Sequence, residues 1–498
     1  MIPLKHFAGD EGLALYQLVF PIYNTILILS VSGIPIALSK LISENLAARN
    51  TMEVGQIVKS AFYLMVIVSL CGFFVFYFGS TRIAGWIGNM DTKLSIQAMA
   101  FAMLLVPFVA VLRGYFYGYQ QMNLSASSQV VEQLVRVSFM VFIVYWFMRT
   151  GKEIGMVAAG AAFGSFVGLA VSLLMLIYAY RQSFSSEKVR IEQKNTRVGF
   201  RYGWKILILS IPVSLSTLMI PLLGMIDSVS IINLLQSVGF SRSMATSEFG
   251  IYSRGVPIVQ FSSFYATGLA LAAVPTLASA STVHEKRGHI NKAIQITLLA
   301  GIPASIGMIF IAHPLNILFY GDANGSETLQ ILAASTFFLS LAVTTSGVLQ
   351  GMGKQFYPAF YLLIGMIVKV VGNVGLVGVW GIQGAAYSTL LSYLVISGLC
   401  IWTIYQTLQK NMEIGQEWIR WIKPSVLMTV VLVALIFYFP ELALDHISRI
   451  QSLFHMSILI AAGILSYVAG LILFKIVTWK EIKEQAKRLN KSPKKSGV

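Results

Sequence analysis

Apolar residues run along this chain in windows of about 20, the length needed to cross a hydrocarbon core, and short polar segments separate them. The windows fall at roughly 16–38, 59–79, 97–117, 126–148, 155–180, 206–234, 251–279, 294–319, 329–350, 358–379, 381–407, 424–440 and 453–475. Lipid offers the backbone no hydrogen-bond partners, so each of these about thirteen segments is expected to be a helix. A closed β-barrel would need ten-residue stretches of alternating polarity, and the sequence has none. The expected fold class is all-α, a polytopic membrane protein.

The pattern also repeats. Tyr16 and Pro21 recur as Tyr252 and Pro257, and the Gly114-Tyr-Phe-Tyr-Gly118 turn recurs as Gly347-Val-Leu-Gln-Gly351. Arg136 lies 18 positions beyond the first turn, and Lys369 lies 18 beyond the second. Gly160-Ala161-Ala162-Phe163 recurs as Gly384-Ala385-Ala386-Tyr387. Four pairs in one order predict two copies of a helical bundle running in the same direction, related by a pseudo-twofold axis along the membrane normal, with substrate held between them. The span at 206–234, which precedes the second copy of the Tyr/Pro landmark, has no counterpart upstream of Tyr16. The first lobe is therefore expected to hold five of six helices. Met1-Ile2-Pro3-Leu4-Lys5 is read as the stub of the other, through a late start or a natural truncation; the competing reading is an external N-terminus inserted by the first span. The expected organisation is an N-terminal lobe at 1–190, a charged cytoplasmic linker at 191–205, a C-terminal lobe at 206–410, and two additional spans with a basic tail at 411–498.

Composition agrees with a bilayer protein: 56% of residues are hydrophobic, 11% are charged, and mean hydropathy is +0.74. A net charge of +16 would suggest nucleic acid in a soluble chain, but about 26 of the 36 basic residues fall in alternate loops and in the tail. That is the positive-inside asymmetry. It places the tail from Lys480 to Lys495 in the cytoplasm, near anionic headgroups, and leaves no case for a nucleic-acid partner.

Catalytic and metal chemistry find little support. Cys71 and Cys400 sit in apolar spans with no framework of partners, and the six histidines lack metal-ligand spacing. Gly351-Met-Gly353-Lys354 continues with Gln355, so no nucleotide-binding loop is present. The reading is a non-enzymatic protein without a cofactor. Pro221 is expected to break the span at 206–234, and Pro35, Pro257 and Pro275 to interrupt others. The spacings Gly114/Gly118, Gly160/Gly164/Gly168 and Gly347/Gly351 are expected to serve ordinary close packing of helices.

Charges inside the hydrocarbon are costly and so mark function. They are Glu132, Arg136, Asp227, Arg254 and Lys369. Glu132 and Arg136 stand four apart on one helix face, where either they neutralise each other or both face a central cavity. Lys369 occupies the repeat-equivalent position of Arg136, and a pair of cations facing one cavity points to an anionic substrate, since Arg and Lys bind phosphates. Asp227 either pairs with Arg254 or snorkels to the outer surface. Arg113, beside the first glycine turn, joins this set as a sixth candidate.

Leu112-Arg113-Gly114-Tyr115-Phe116, Ser128-Gln129-Val130-Val131-Glu132-Gln133-Leu134-Val135-Arg136-Val137 and Gly33-Ile34-Pro35-Ile36-Ala37-Leu38-Ser39-Lys40-Leu41 resemble the polysaccharide-biosynthesis branch of the multidrug/oligosaccharidyl-lipid/polysaccharide flippase superfamily. Within it the likeness is to Gram-positive lipid II flippases and the stage V sporulation protein B group, with Ile226-Asp227-Ser228 and Val368-Lys369-Val370-Val371-Gly372-Asn373 in support. The resemblance implies two six-helix lobes plus two C-terminal helices in a bacterial plasma membrane. It implies an undecaprenyl-diphosphate-linked saccharide as cargo, turned from inner to outer leaflet by alternating access. It also implies a cationic cavity for the diphosphate, a groove near 424–475 for the polyprenyl tail, and Arg254 as a cavity arginine. The family's other cavity arginines lie in the helix that has no counterpart here. Other lipid-linked glycans, spore-cortex precursors, multidrug or cation antiport, and a non-transporting scaffold are the alternatives; the sequence names no coupling ion.

Overall fold

The structure is a computed structural model, and it describes residues 2–28, 34–186, 202–206, 218–279, 282–408, 414–444 and 447–476. Among the described residues the elements are helices, with no strand. In chain order they are α1 (Ile2–Ile28), α2 (Ile34–Ala47), α3 (Thr51–Ile87), α4 (Thr92–Gly118), α5 (Met122–Arg149), α6 (Ile154–Ser186), α7 (Met219–Ser237), α8 (Arg242–Ser253), α9 (Val256–Ser279), α10 (Val283–Tyr320), α11 (Ser326–Gly351), α12 (Phe356–Thr407), α13 (Ile414–Tyr438) and α14 (Arg449–Leu473). Ten helices among the described residues are long and apolar enough to cross a membrane. The chain is a multi-pass membrane protein.

Helix boundaries follow local chemistry. α10 opens on a capping box, Thr282 with Glu285, and α14 on another, Ser448 with Gln451. Pro221 and Pro257 fall in the first turns of α7 and α9, where a missing N–H costs nothing. The break expected at Pro221 is thus a helix start. The expected span 251–279 is also divided: α8 ends at Ser253 and α9 begins at Val256, so Tyr252 and Pro257 sit on different helices. Gly255 makes the joint, since a Cβ there would stand 2.5 Å from Leu332 Cδ1. The 52-residue α12 carries two expected spans. Gly381 (φ 56°, ψ −136°) breaks it, a conformation that favours glycine, and the halves fold back so that a Cβ on Gly372 would meet Ser388 Cβ at 2.6 Å.

Two compact units emerge: Met1–Ser253 with Pro358–Ser388, and Arg254–Tyr357 with Thr389–Val498. In the first, α4 is packed between α2, α3 and α6, and α5 lies along α6. In the second, α11 is packed between α9 and α10, with α13 and α14 against α10. α4 and α11 have the most enclosed membrane windows, 67% and 72% buried, and they carry the repeated glycine turns. Gly114 of α4 sits on α2, where a Cβ would lie 2.9 Å from Pro35 Cα. Gly347 of α11 sits likewise on α9, with 2.6 Å to Ala270 Cβ. The same small-residue contact therefore joins equivalent helices of each copy.

Within the first unit, α8 crosses α1 at close range. A Cβ on Gly250 would stand 2.1 Å from the Asp10 carbonyl oxygen, one residue past the left-handed break of α1 at Gly9 (φ 68°, ψ −172°). Burial at this crossing pushes the Glu248 carboxyl above its ordinary value, and the nearby Asp10 carboxylate adds to the rise. The linker expected at 191–205 lies largely outside the described residues; its helical end, 202–206, is tied to α3 by Tyr202 Oη donating to Glu53 Oε2 at 3.1 Å. The basic tail, Lys480 to Lys495, also lies outside them.

Candidate functional site

The six charged residues expected in the membrane sort into two buried ion pairs, Arg113 with Glu132 and Lys369 with Asp227, a buried arginine, Arg254, held by a partner outside the set, and one half-buried cation, Arg136. Arg113, on α4, turns inward beside the Gly114/Gly118 contact. Its Nη2 donates to Glu132 Oε2 of α5 at 2.7 Å and to Ser172 Oγ of α6 at 3.1 Å, and its Nε donates to Ser128 Oγ at 3.0 Å. Arg113 and Glu132 are buried. Glu132 is therefore satisfied by a neighbouring helix rather than by Arg136 one turn along, which corrects the i,i+4 neutralisation that the spacing suggested. The glycine track of α6 explains why α5 can approach: a Cβ on Gly168 would meet Glu132 O at 2.7 Å, and one on Gly164 would meet Arg136 O at 3.1 Å.

Lys369, on the first half of α12, is fully buried, and its Nζ lies 2.7 Å from Asp227 Oδ1 of α7. It also donates to Ala385 O at 2.9 Å and Ser388 Oγ at 3.2 Å, so three oxygens meet the three donors of an ammonium. Asp227 accepts in turn from Tyr252 Oη of α8 at 2.8 Å and Asn373 Nδ2 at 3.0 Å. Asn373 also donates to Ser230 Oγ at 2.7 Å and accepts from Ser388 Oγ. The partner of Asp227 is thus Lys369 and not Arg254, because α7 lies beside α12 within the first unit.

Arg254 stands at the joint between α8 and α9 in the second unit. Its guanidinium grips Asp322 with two nitrogens, Nη1 to Oδ1 at 2.6 Å and Nη2 to Oδ2 at 3.2 Å. Nη1 also donates to Asn324 O at 3.1 Å and Asn316 Oδ1 at 3.4 Å, and the group lies 5.2 Å from the Tyr320 ring centroid. Asp322 belongs to the five-residue turn between α10 and α11, whose ends Gly321 and Gly325 have φ of 86° and 76°.

Arg136 differs from the other three cations. It is half-buried on α5, donates to Gln133 Oε1 of its own turn, and lies 6.0 Å from the Phe20 ring of α1. Among the described residues it has no carboxylate within ion-pair distance. Phe20 is flanked by Tyr16 and Tyr23, with ring centroids 5.7 and 6.4 Å away, so one face of α1 offers three aromatic rings beside the cation. Asp227 reaches Lys369 from α7, whereas Arg136 meets Gln133 and the Phe20 ring, and so the two repeat-equivalent cations have different surroundings. Asn373, Ser388, Tyr252 and Asp322 are not among the charged candidates that the sequence singles out. Tyr252 stands out in the sequence only as a repeat landmark, and Asn373 only through the block it shares with Lys369. Among the described residues no three His, Cys, Asp or Glu side chains gather as a metal site.

In the second unit an apolar groove of about 480 Å³ runs along α13, lined by Ile422, Lys423, Val426, Leu427, Val430 and Phe474. The Lys423 Nζ lies at one end, 6.0 Å from the Phe474 ring.

Comparison with known proteins decides the family. Residues 1–228 match the family described as polysaccharide biosynthesis protein, and residues 212–374 match the MatE family. An uncharacterized membrane protein of Bacillus subtilis, YabM, is 33% identical over 413 residues, covering 82% of this chain and 76% of that one. The chain belongs to the polysaccharide-biosynthesis branch of the multidrug/oligosaccharidyl-lipid/polysaccharide flippase superfamily. The lipid II flippase MurJ of Bacillus subtilis is 25% identical over 452 residues, covering 86% of this chain and 82% of that protein. A lipid II flippase MurJ structure in an inward closed conformation superposes with a TM-score of 0.68 at 13% identity, over 95% of each chain, which establishes the shared fold. The named relatives are flippases and transporters rather than enzymes.

Proposed function

We propose that this protein flips an undecaprenyl-diphosphate-linked saccharide from the inner to the outer leaflet by alternating access, with lipid II as the first cargo to test. The observation that carries the reading is Arg136, a half-buried intramembrane cation that has no carboxylate partner among the described residues and stands beside Tyr16, Phe20 and Tyr23. A guanidinium left uncompensated in this way suits a diphosphate, which it can bind through paired hydrogen bonds, and the half-buried Phe20 ring, backed by the buried Tyr16 and Tyr23, suits the face of a sugar. The groove beside α13 supports the same reading, because its apolar wall suits a polyprenyl chain and Lys423 at its end suits a phosphate. Within the second unit, Arg254 is the cation of choice for a phosphate group. Arg113, Glu132, Asp227 and Lys369 shape the site by holding α4, α5, α6, α7 and α12 in register. The tail is cytoplasmic, as the positive-inside pattern requires, and anionic lipids are its partners.

The match of residues 212–374 to the MatE family keeps a cation antiporter in view, but such a carrier needs an uncompensated carboxylate. Glu132 and Asp227 are each paired, which favours anionic cargo. Cells depleted of their own lipid II flippases and expressing this protein are expected to regain lipid II on the outer face. Cells carrying R136A, with the protein inserted at wild-type levels, are expected to lose at least about tenfold of that exposure, the effect of removing one charged hydrogen-bonding partner. Correct insertion without any recovery shifts the cargo to another polyprenyl-linked glycan, such as a spore-cortex precursor. Full activity in R136A contradicts the assignment of the site.

A further inference from the structure

Arg254 is 1% exposed, and a bare guanidinium is not tolerated in such a place: breaking a buried pair by removing one partner is strongly destabilising. It therefore needs an anion in every state it visits. Here Asp322 supplies that anion with two-point geometry, 2.6 and 3.2 Å, the arrangement a guanidinium also adopts with phosphate oxygens. The two partners differ in how they are held. Arg254 is fixed at the α8/α9 joint, where Tyr320 Oη donates to its carbonyl at 3.1 Å and the Tyr320 ring lies beside its guanidinium. The Asp322 side chain is 31% exposed and sits on a short turn with a left-handed glycine at each end, so it meets solvent where the guanidinium does not.

We propose that Asp322 is the resident counter-anion of Arg254: it yields the guanidinium to the diphosphate of the cargo and reclaims it on release. This rests on the diphosphate reading above, and it adds the step by which bound cargo leaves a buried cation. Asp322 acts through Arg254 and is a positioning residue. Two hydrogen bonds from Arg254 to Asp322 break, two to phosphate oxygens form, and no proton needs to move.

The test uses the full chain in nanodiscs with inorganic pyrophosphate as the probe, measured by calorimetry, alongside flipping of an undecaprenyl-diphosphate saccharide in proteoliposomes. D322N keeps the turn, because its amide oxygen can still accept from Asn324 N, now at 3.1 Å from Asp322 Oδ1, but it removes the competing charge. It is expected to bind pyrophosphate about tenfold or more tighter than wild type, the equivalent of losing one charge-assisted competitor, and to flip more slowly because release is impaired. D322E, which keeps the anion, is expected to bind as wild type does, and D322N/R254Q is expected to lose the gain. Pyrophosphate affinity in D322N equal to or below wild type overturns the proposal; if D322N does not fold, tightened binding in D322E overturns it instead. If R136A weakens pyrophosphate binding while D322N does not strengthen it, the role of Asp322 falls and the diphosphate reading stands. If neither wild type nor any variant binds pyrophosphate, the diphosphate reading falls, and this proposal with it.

Discussion

Lys369 and Asp227 sit where no water screens them, at 0% and 6% exposure, so the pair is worth little more than its absence but a great deal more than one half of it. K369A is expected to destabilise the protein by about 3–5 kcal/mol, because Asp227 would keep its charge with only Tyr252 and Asn373 to hold it. K369M/D227L is expected to recover part of that loss, since no charge is left over. Thermal unfolding in detergent reads both, and a K369A melting point equal to wild type would show that the pair is not what holds α7 to α12. The six charged residues are all visible in the sequence because charges stand out in apolar spans. Which of them pair is not. Glu132 and Arg136 suggest each other by spacing, yet Arg113, 19 positions away from Glu132 along the chain, is the residue that reaches it. Distance along the chain carries no signal of this, and the contact depends on the depth to which Gly168 lets α5 settle. Asp322 lies in a short polar connection, and only the flanking Gly321 and Gly325 mark that turn as unusual.

Close packing of α5 on α6 rests on glycines that leave no room for a methyl group. G168A would push a Cβ to 2.7 Å from Glu132 O, and it is expected to cost about 1–3 kcal/mol as overpacking does and to loosen the Arg113–Glu132 pair. Thermal unfolding together with amide exchange in α5 checks this, and an unchanged exchange pattern would place the contact outside the cooperative core. At the α1/α8 crossing the raised Glu248 carboxyl predicts a pH effect. A carboxyl held above its unfolded value favours the folded state at low pH, and that contribution is lost as pH rises through the folded value. E248Q, which mimics the protonated form, is therefore expected to be more stable than wild type at neutral pH and to match it at acidic pH. A melting-temperature series across pH tests the sign, and an E248Q advantage that grows on acidification would contradict it. The long helices and the repeat are legible in the sequence because long apolar windows stand out and the glycine and aromatic landmarks recur in the same order. The breaks at Gly9, at the α8/α9 joint and at Gly381 are not, since each is made by one glycine inside an apolar or mixed run, and its effect depends on what packs against it.

The two copies follow one plan, with equivalent helices meeting at equivalent glycines, but their charges have diverged. Lys369 is neutralised by Asp227 of α7, whereas Arg136 faces aromatic rings with no carboxylate in reach among the described residues. On the proposed function, that difference is what suits the chain to anionic cargo. Family membership and the fold are accessible from sequence blocks spread along the chain; the assignment of cargo rests on Arg136. Flipping of a fluorescent undecaprenyl-diphosphate saccharide in proteoliposomes by wild type, R136K and R136A, with matched insertion and melting temperatures, therefore bears most heavily on the proposal. Activity is expected in wild type, partial activity in R136K, which keeps the charge but not the two-point grip, and loss in R136A. Equal flipping by wild type and R136A, with both proteins folded, would contradict the role of Arg136 and the diphosphate cargo with it.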